Sequence, residues 1–495
     1  MKTRIISLHL VAMSVLILAV GMSAQSPVQE ILERSLQRTA RLQRSNAPAA
    51  APVANPELTC TPAPCVLPLV NASGTNNVAS ENPIAINPKK PTQLLVGAND
   101  YTCANPNGFY TSLDGGQTWA HTCINALTGE SGQADPIVAY DLNGNAFVGD
   151  IDANNTTSTI VLEKSTDGGK TWSAPFPSVE YIFPPGGLVD KPWMQIDTNP
   201  KSPYANAIYI ASAQFDANGN SQITVSNSHD GGQTWQTVAV APEQISPAVD
   251  QFTDVAIAAD GTVYVTWMNC TLARTGSCGG QTATFYLVKS TDGGSTWTSP
   301  AAMFSATLVP DGCHCSAYGS LPNTQEVMDN IPVIDVDNST GPHKGNLYVV
   351  YYNWTGNYNW MGKYMQVRVA TSVDGGNTWT SVAVAPASDQ HDQFFPWLNV
   401  SKKGVIGVSW LDRRNDPKNH DYEPFAAFSA DGGASFGTNY QLSQQLSNPL
   451  NDGTGGRHMG DYTGNAWAGP NQLYVSYVDT TTGTAQAFVG GVRLK

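Results

Sequence analysis

Charged residues are scarce in this sequence. Only 13% of its 495 residues are Asp, Glu, Lys or Arg, against roughly 25% in an average soluble protein. The 39 acidic residues outnumber the 25 basic ones and give a formal net charge of −14. This composition argues against a nucleic-acid partner, because binding to phosphates requires a basic surface. It also argues against disorder and coiled coil, which need more charge or a heptad pattern.

A long apolar run is found at the amino terminus. Lys2 and Arg4 precede an apolar stretch from Ile5 to Val20, and small residues follow as far as Ala24. The stretch is shorter than the ~20 residues that a transmembrane helix needs. Residues 1–24 therefore predict a secretory signal peptide, with a transmembrane anchor as the alternative. We expect a secreted, periplasmic or cell-surface protein without a transmembrane anchor.

Arginine is also scarce. It occurs eleven times, and four of these positions are 34, 38, 41 and 44. They belong to residues 25–65, where a short amphipathic stretch and an Ala/Pro-rich run predict a pro-segment or linker. We expect residues 66–495 to form a single domain. No arginine occurs between Arg44 and Arg274, so this domain has few of the side chains best suited to bind carboxylates.

Cysteine is present in an even number. The eight positions are 60, 65, 103, 123, 270, 278, 313 and 315, and in an exported protein such a set favours disulfides. Local pairing would join Cys60 to Cys65, Cys103 to Cys123 and Cys270 to Cys278. The sequence cannot choose among the ~105 connectivities that eight cysteines allow. The Cys313-His314-Cys315 triplet could instead contribute to a metal site, although no second pair with ligand spacing lies near it.

A short motif recurs six times along the chain. Two glycines supply the positive φ of a tight turn, the aspartate can accept hydrogen bonds from the turn's own amides, and the aromatic residue can pack into a sheet. Strand-like runs flank each copy, so the motif predicts a hairpin turn and not a catalytic site. The copies are Ser112–Trp119, Ser165–Trp172, Ser228–Trp235, Ser290–Trp297, Ser372–Trp379 and the weaker Ser429–Phe436.

Copies of Ser-x-Asp-Gly-Gly-x-Thr-Trp resemble the Asp-box (BNR) repeats of the sialidase superfamily. The resemblance covers residues 81–495 and implies a β-propeller in which each box joins the third and fourth strands of a four-stranded blade. In that family the boxes lie opposite the functional face. We call these two surfaces the Asp-box face and the loop-rich face. The loop-rich face carries the connections from second to third strands and from blade to blade.

A second, weaker repeat precedes each box. An apolar strand that ends in a turn is followed by a stronger β run, as in Pro136–Tyr140 and then Ala146–Gly149. A seventh unit without a box begins near Tyr462. The fold class is therefore all-β, a propeller of antiparallel blades with seven favoured and six as the alternative. Because the seventh unit shows only three strands, we expect Val66–Val70 to supply its outer strand and close the ring.

Acidic residues occur at both ends of the connections on the loop-rich face. In an up-and-down blade, the start of the first strand and the end of the second lie on the same face, so these residues predict an acidic crown around the axis. Ca²⁺ is a possible cofactor there, or a Lys or Arg ligand; the alternative is that these are turn residues that bond local amides. The crown comprises Glu81, Asp135, Asp190, Asp250, Asp254, Asp329, Asp392 and Asp461, with Asp100, Asp150, Asp216, Asn269, Asn353, Asp412 and Asp479.

The resemblance also implies a catalytic apparatus. Sialidases use three arginines on the substrate carboxylate, a tyrosine nucleophile with a glutamate partner, and an aspartate acid/base; tyrosine nucleophiles are an exception among glycosidases. The stretch that matches the family's first arginine motif, Ser80–Asn87, contains no arginine. Loop position alone suggests substitutes. The candidate catalytic residues are Asp190, Glu326, Arg413, Arg457, Asp461 and Tyr462, with Tyr422 and Glu423 as alternatives for the tyrosine and glutamate. The candidate substrate-binding residues are Lys191, Trp193, Arg274, Trp354, Trp360, Arg414 and Tyr422.

Two functions follow from these observations. The first is a secreted propeller that binds an extracellular glycan or glycoprotein through the loop-rich face without the standard arginine triad. The second is a non-standard exo-glycosidase that acts on extracellular glycans. A purely structural or assembly role is a third possibility. We expect a monomer.

Overall fold

The computed structural model describes residues 58–74, 78–154, 158–184, 186–356, 363–386, 388–453 and 458–495. The predicted signal peptide and nearly all of the predicted pro-segment lie outside these residues. Within them, the 3-10 turn Pro449–Asn451 is the only helical element, and no helix is long and apolar enough to cross a membrane. All other regular structure is β.

The strands form seven sheets, which we number as blades in chain order, and each strand pairs antiparallel with its neighbours. Blade 1 contains Ala79–Ser80, Ile84–Ile86, Leu94–Asp100, Gly108–Ser112 and Ala120–Cys123; blade 2, Ser131–Tyr140, Ala146–Ala153, Ser158–Ser165 and Phe176–Pro177; blade 3, Leu188–Ile196, Ile208–Phe215, Ser221–Ser228 and Gln236–Ala239. Blade 4 contains Ala248–Ile257, Val263–Thr271, Thr282–Ser290 and Ala301–Thr307; blade 5, Val333–Val336, Leu347–Trp354, Met365–Ser372 and Thr380–Ala383. Blade 6 contains Gln393–Val400, Ile406–Asp412, Glu423–Ser429 and Tyr440–Gln441; blade 7, Gly464–Ala468, Gln472–Asp479, Gln486–Arg493 and Cys65–Asn71.

The prediction of seven blades is confirmed, and the alternative of six is wrong. The first described strand, Cys65–Asn71, pairs with the last strand of the chain, with Val66 opposite Val492. It therefore supplies the outer strand of blade 7, as its apolar sequence and the three-stranded seventh unit predicted. Pairing the two ends of the chain within one sheet closes the ring and removes an exposed edge.

Burial decreases from the inner part of each blade to its rim. The second strands are almost entirely buried, and Leu94–Asp100 and Ile208–Phe215 are buried at every position, because neighbouring blades cover both of their faces. Strands covered on both faces have continuous apolar sequences and not alternating ones. The outer strand Gln236–Ala239, in contrast, is partly exposed at every position.

The six boxes have the predicted turn structure. In the third box, Asp230 accepts hydrogen bonds from Ser228 Oγ at 2.9 Å and from the amide of Thr234 at 2.9 Å, and Trp235 Nε1 donates to Gly232 O at 3.1 Å. Gly232 has a φ of 93°, a conformation that glycine adopts without steric cost. Hydrogen bonds from the box threonine and from backbone amides lower the pKa of this aspartate. The boxes are therefore structural.

All three local disulfides that the sequence suggested are formed. They join Cys60 to Cys65, Cys103 to Cys123 and Cys270 to Cys278. Cys313 and Cys315 also form a disulfide. The idea of a metal site at this triplet is wrong, because a disulfide leaves no thiolate to act as a ligand.

Candidate functional site on the propeller axis

A β-bulge interrupts the first strand of several blades at the end nearest the loop-rich face. Pairing shifts between Ala134 and Ile137 in blade 2 and between Asp190 and Trp193 in blade 3, and blades 4 and 6 show the same shift. One residue at each bulge has a positive φ. These residues are Asp135 (63°), Lys191 (48°), Phe252 (65°) and Phe395 (47°). In blade 1, Glu81 (59°) lies between the short strands Ala79–Ser80 and Ile84–Ile86. Bulges and left-handed residues re-aim side chains and are frequent beside functional sites.

These bends bring a group of charged side chains together on the axis, which we call the axial cluster: Glu81, Asp135, Lys191, His458 and Asp461. Lys191 Nζ lies 3.3 Å from Asp135 Oδ1 and forms an ion pair with Asp461 Oδ2. His458 Nε2 lies 3.5 Å from Glu81 Oε1 and 3.5 Å from Asp461 Oδ1. All five side chains are at least nine-tenths buried. Residues from blades 1, 2 and 3 thus meet residues that precede blade 7.

Burial and neighbouring charges together determine the pKa values of the groups in and beside the axial cluster. Burial, together with the nearby charge of Asp135, raises the pKa of Asp190 to about 7. Gln251 Nε2 donates a hydrogen bond to this carboxyl group. Burial alone would lower the pKa of Lys191, but Asp135 and Asp461 raise it well above its usual value. Lys191 is therefore a permanent cation, whereas Asp190 can hold a proton near neutral pH.

An aromatic group lies next to the axial cluster. Trp193 contacts Trp397 with ring centroids 4.4 Å apart and Tyr462 edge-on at 5.6 Å. The Tyr462 hydroxyl donates a hydrogen bond to Pro136 O at 3.0 Å. Burial, followed by the charge of Glu81, raises the pKa of Tyr462 well above its usual value. In this structure Tyr462 is a neutral phenol that packs against the tryptophans, which is unfavourable for a nucleophile.

A cavity of about 280 Å³ continues along the axis beyond the tryptophans. The first strands of all seven blades line it, and Trp193, Trp397 and Trp467 are its aromatic wall. Its mouth is formed by the turns between first and second strands, which share the Asp-box face with the boxes. Asp335 also lines it, and its carboxylate accepts a hydrogen bond from the amide of Val400 at 2.7 Å.

The described arginines among the candidates do not meet at the axial cluster. Arg413 is fully buried and donates to Pro322 O at 3.0 Å, with Asp392 Oδ2 3.4 Å away. Arg414 forms ion pairs with Asp389, at 3.0 Å, and Asp412. Arg274 is exposed in a loop of blade 4. Arg457 and Trp360 lie outside the described residues.

The other candidates occupy the interior of the loop-rich side. Glu326 is buried and accepts a hydrogen bond from the amide of Met459 at 3.1 Å. The Tyr422 hydroxyl donates to Val478 O at 2.8 Å, and Glu423 accepts from Asn415 Nδ2 at 2.7 Å. Trp354 is buried in the hydrophobic core. Of the thirteen candidates, the structure thus brings together Asp190, Lys191, Trp193, Asp461 and Tyr462.

The candidate catalytic and substrate-binding residues predicted from the sequence did not include Glu81, Asp135, His458 and Trp397. Glu81 and Asp135 belong to the predicted acidic crown. In the structure, the residues of this crown do not form a single group. Several other crown aspartates have partners in their own blade or its loops: Asp100 lies 3.0 Å from His121 Nε2, and Asp392 pairs with Arg413. A signal for the bulges was present, because a proline follows Asp135, Lys191 and Phe395.

Comparison with known proteins supports the repeat. Residues 163–174 match the BNR/Asp-box repeat family. A stretch of 200 residues is 27% identical to xyloglucanase Xgh74A of Acetivibrio thermocellus and covers 37% of this chain. The match spans only 22% of that enzyme's length, so no activity is transferred from it.

Solved structures of low identity are also similar to this chain. A protein of unknown function from Dyadobacter fermentans is 17% identical, with 75% of this chain and 97% of that chain covered and a TM-score of 0.46. Penicillium chrysogenum α-L-arabinanase is 13% identical, with 74% and 94% covered and a TM-score of 0.45. Hadza microbial sialidase Hz136 is 13% identical, with 81% and 73% covered and a TM-score of 0.43. From its repeated motif and its seven sheets, the chain is a seven-bladed Asp-box β-propeller.

Proposed function

We propose that this chain is an extracellular glycan-binding propeller that takes an uncharged sugar at the axial cluster, from the loop-rich face. The observation that carries the proposal is the convergence of Glu81, Asp135, Lys191 and Asp461 from separate parts of the ring. Burying charges costs stability unless they are well paired, and such groups concentrate at functional sites. Carboxylates accept hydrogen bonds and an ammonium donates them, as sugar hydroxyls require.

The sign of the charge supports an uncharged ligand. Among the described residues of the axial cluster, three carboxylates surround one ammonium group. The carboxylate of a sialic acid would be repelled there. Arg413 and Arg414, which could have bound such a carboxylate, are held by aspartates elsewhere. The xyloglucanase match and the Asp-box match support glycans as the ligand class.

The cysteines support an extracellular location. All eight are paired in disulfides, and disulfides persist in oxidising compartments. We extend the proposal to an extracellular glycan or glycoprotein as the partner and to a monomeric protein. Light scattering of the purified chain tests the oligomeric state.

Hydrolysis of a neutral glycan is the second candidate function. Asp190, whose pKa burial raises to about 7, lies near the carboxylates of Asp135 and Asp461. A carboxyl group that stays protonated near neutral pH, beside others that are ionised, is the arrangement that glycosidases use for acid/base catalysis. Release of reducing sugar from xyloglucan or arabinan oligosaccharides by the purified protein would favour this function over binding alone.

Calorimetric titration with a panel of neutral oligosaccharides tests the main proposal. We expect at least one of them to bind, and Asp135→Asn to weaken that binding at least tenfold, because Asp135 holds the Lys191 ammonium group. Asp250→Asn is the matched control. It changes a buried aspartate in the first strand of blade 4 whose Oδ1 accepts from Asn269 Nδ2 at 2.7 Å.

Circular dichroism establishes that both variants fold. Loss of binding in Asp135→Asn with retention in Asp250→Asn supports the axial cluster as the binding site. Equal affinity in the wild type and in Asp135→Asn would contradict it, as would the absence of binding across the whole neutral panel.

A further inference from the structure

Three side chains of the axial cluster that can bind a metal ion lie close enough together to bind the same ion. One donor atom each from Glu81, His458 and Asp461 lies within 4.8 Å of the other two, and all three residues are buried. Glu81 lies between the short strands Ala79–Ser80 and Ile84–Ile86 of blade 1, and the other two come before the first strand of blade 7. The arrangement therefore depends on the closure of the ring between blades 7 and 1.

The distances fit a shared ion better than direct hydrogen bonds. His458 Nε2 lies 3.5 Å from a carboxylate oxygen of Glu81 and 3.5 Å from one of Asp461, whereas an N–H···O hydrogen bond prefers about 2.9 Å. Nitrogen and oxygen ligands lie about 2.1 Å from a tetrahedral Zn²⁺, which puts neighbouring donors about 3.4 Å apart. The two separations from His458 Nε2, 3.5 Å each, match that spacing.

The charge around this point favours a divalent cation. Among the described residues, the carboxylates of Glu81, Asp135 and Asp461 are opposed by the single ammonium group of Lys191. All of these groups are buried, and carboxylate oxygens together with an imidazole nitrogen are donors that bind divalent metal ions.

The two carboxylate oxygens of Asp461 face different partners. Its Oδ2 pairs with Lys191, while its Oδ1 is the atom that lies 3.5 Å from His458 Nε2. We propose that Glu81, His458 and Asp461 bind one divalent transition-metal ion of the zinc type, through two carboxylate oxygens and one imidazole nitrogen. This mixed donor set is typical of Zn²⁺, whereas Ca²⁺ takes six to eight oxygen ligands. Metal binding at this site and glycan binding are tested separately, because the preference for an uncharged glycan is predicted for the protein without a bound metal ion.

A second group of similar composition provides the control. Asp416, His420 and Asp421 also lie close together. There, however, Asp416 accepts hydrogen bonds from the amides of Lys418, His420 and Asp421 at 3.0, 2.9 and 2.8 Å. Backbone amides thus already use the oxygens that a metal would need, and we expect no binding there.

Calorimetric titration of the full chain with Zn²⁺, after dialysis against a chelator, tests the inference. We expect one Zn²⁺ per chain, binding at least 100-fold weaker in His458→Gln, and unchanged binding in His420→Gln. Co²⁺ supplies a spectroscopic readout, because a site with one nitrogen and two carboxylate oxygens gives visible absorption without the thiolate bands of a cysteine site.

Two results would overturn the inference: the absence of Zn²⁺ binding to the wild type, and unchanged Zn²⁺ binding in His458→Gln. If His458→Gln does not fold, Asp461→Asn replaces it, with the same expected loss. Because the titration contains no sugar, its failure would leave the proposed glycan function standing, and the reverse also holds.

Discussion

At the residue scale, buried carboxylates outside the axial cluster determine how stability depends on pH. Asp150, Asp152 and Glu163 are buried side chains of blade 2. Burial raises the pKa of Asp152 to about 6 and that of Glu163 to about 7, although amides of Leu127 and Asn125 donate hydrogen bonds to them. The folded protein therefore binds more protons than the unfolded chain does between about pH 4.5 and pH 7.

Stability should consequently fall as the pH rises through this window, because the folded-state pKa values are raised. We expect Glu163→Gln to increase the free energy of unfolding by about 1–2 kcal/mol at pH 8, where the wild type must bury the charge, and to change it little at pH 4. Urea unfolding at both pH values measures the difference.

Glu180→Gln is the control for Glu163→Gln, since Glu180 is exposed. It should leave stability unchanged at either pH. An equal effect of Glu163→Gln at pH 4 and pH 8 would show that the carboxyl group does not titrate in this window.

Residue identities in the site were partly predictable. Lys191, Asp461 and Tyr462 could be found because they stand at the start of first strands, and strand order places all such positions on one face. The contact of His458 with Glu81 could not be found, because it depends on the path of a loop before blade 7. The pairing of Arg413 with Asp392 was also beyond sequence reasoning, which treated Arg413 as a free ligand group.

At the scale of the element, turns and strands were the most predictable features. Each box contains its own hydrogen-bond donors and acceptors, so its structure follows from local sequence. The outer strand Cys65–Asn71 was predictable by counting strands in the seventh unit. The bulges were signalled only by the prolines that follow Asp135, Lys191 and Phe395. Their effect on the site was not predictable, because inserting one residue shifts the register and so reverses which face each following side chain occupies.

The outer strand should contribute strongly to stability. Leu67 and Val70 are 2% and 1% exposed, and burial of each such side chain stabilises by about 1.5–3 kcal/mol. We expect a chain that begins at residue 73 to unfold at a clearly lower temperature than the wild type and to aggregate, because strand Gln486–Arg493 becomes an exposed edge. Thermal unfolding and size-exclusion chromatography measure both effects.

A chain that begins at residue 58 is the matched control, since it keeps the strand and the Cys60–Cys65 disulfide. It should elute as a monomer and unfold like the wild type. Equal melting temperatures for the two truncated chains would contradict the role of the outer strand in closing the ring.

At the scale of the whole molecule, the low arginine content and the net negative charge agree with the excess of carboxylates at the axis. The axial cluster has more carboxylates than cations among its described residues, and the described candidate arginines are either paired with aspartates or exposed in a loop. A ring of this fold can present different chemistry at its axis, because fold alone does not determine function. The charge of the axis therefore indicates the ligand better than the fold does.

The most direct test compares two ligands that differ by one terminal, negatively charged sugar. A neutral oligosaccharide that binds the wild-type protein is titrated beside the same oligosaccharide bearing one terminal sialic acid. We predict that the sialylated form binds the chelator-treated protein at least tenfold more weakly, because its carboxylate would approach Glu81, Asp135 and Asp461 with no metal ion bound between them. Tighter binding of the sialylated form, or its hydrolysis to free sialic acid, would contradict the proposal that this propeller recognises uncharged glycans.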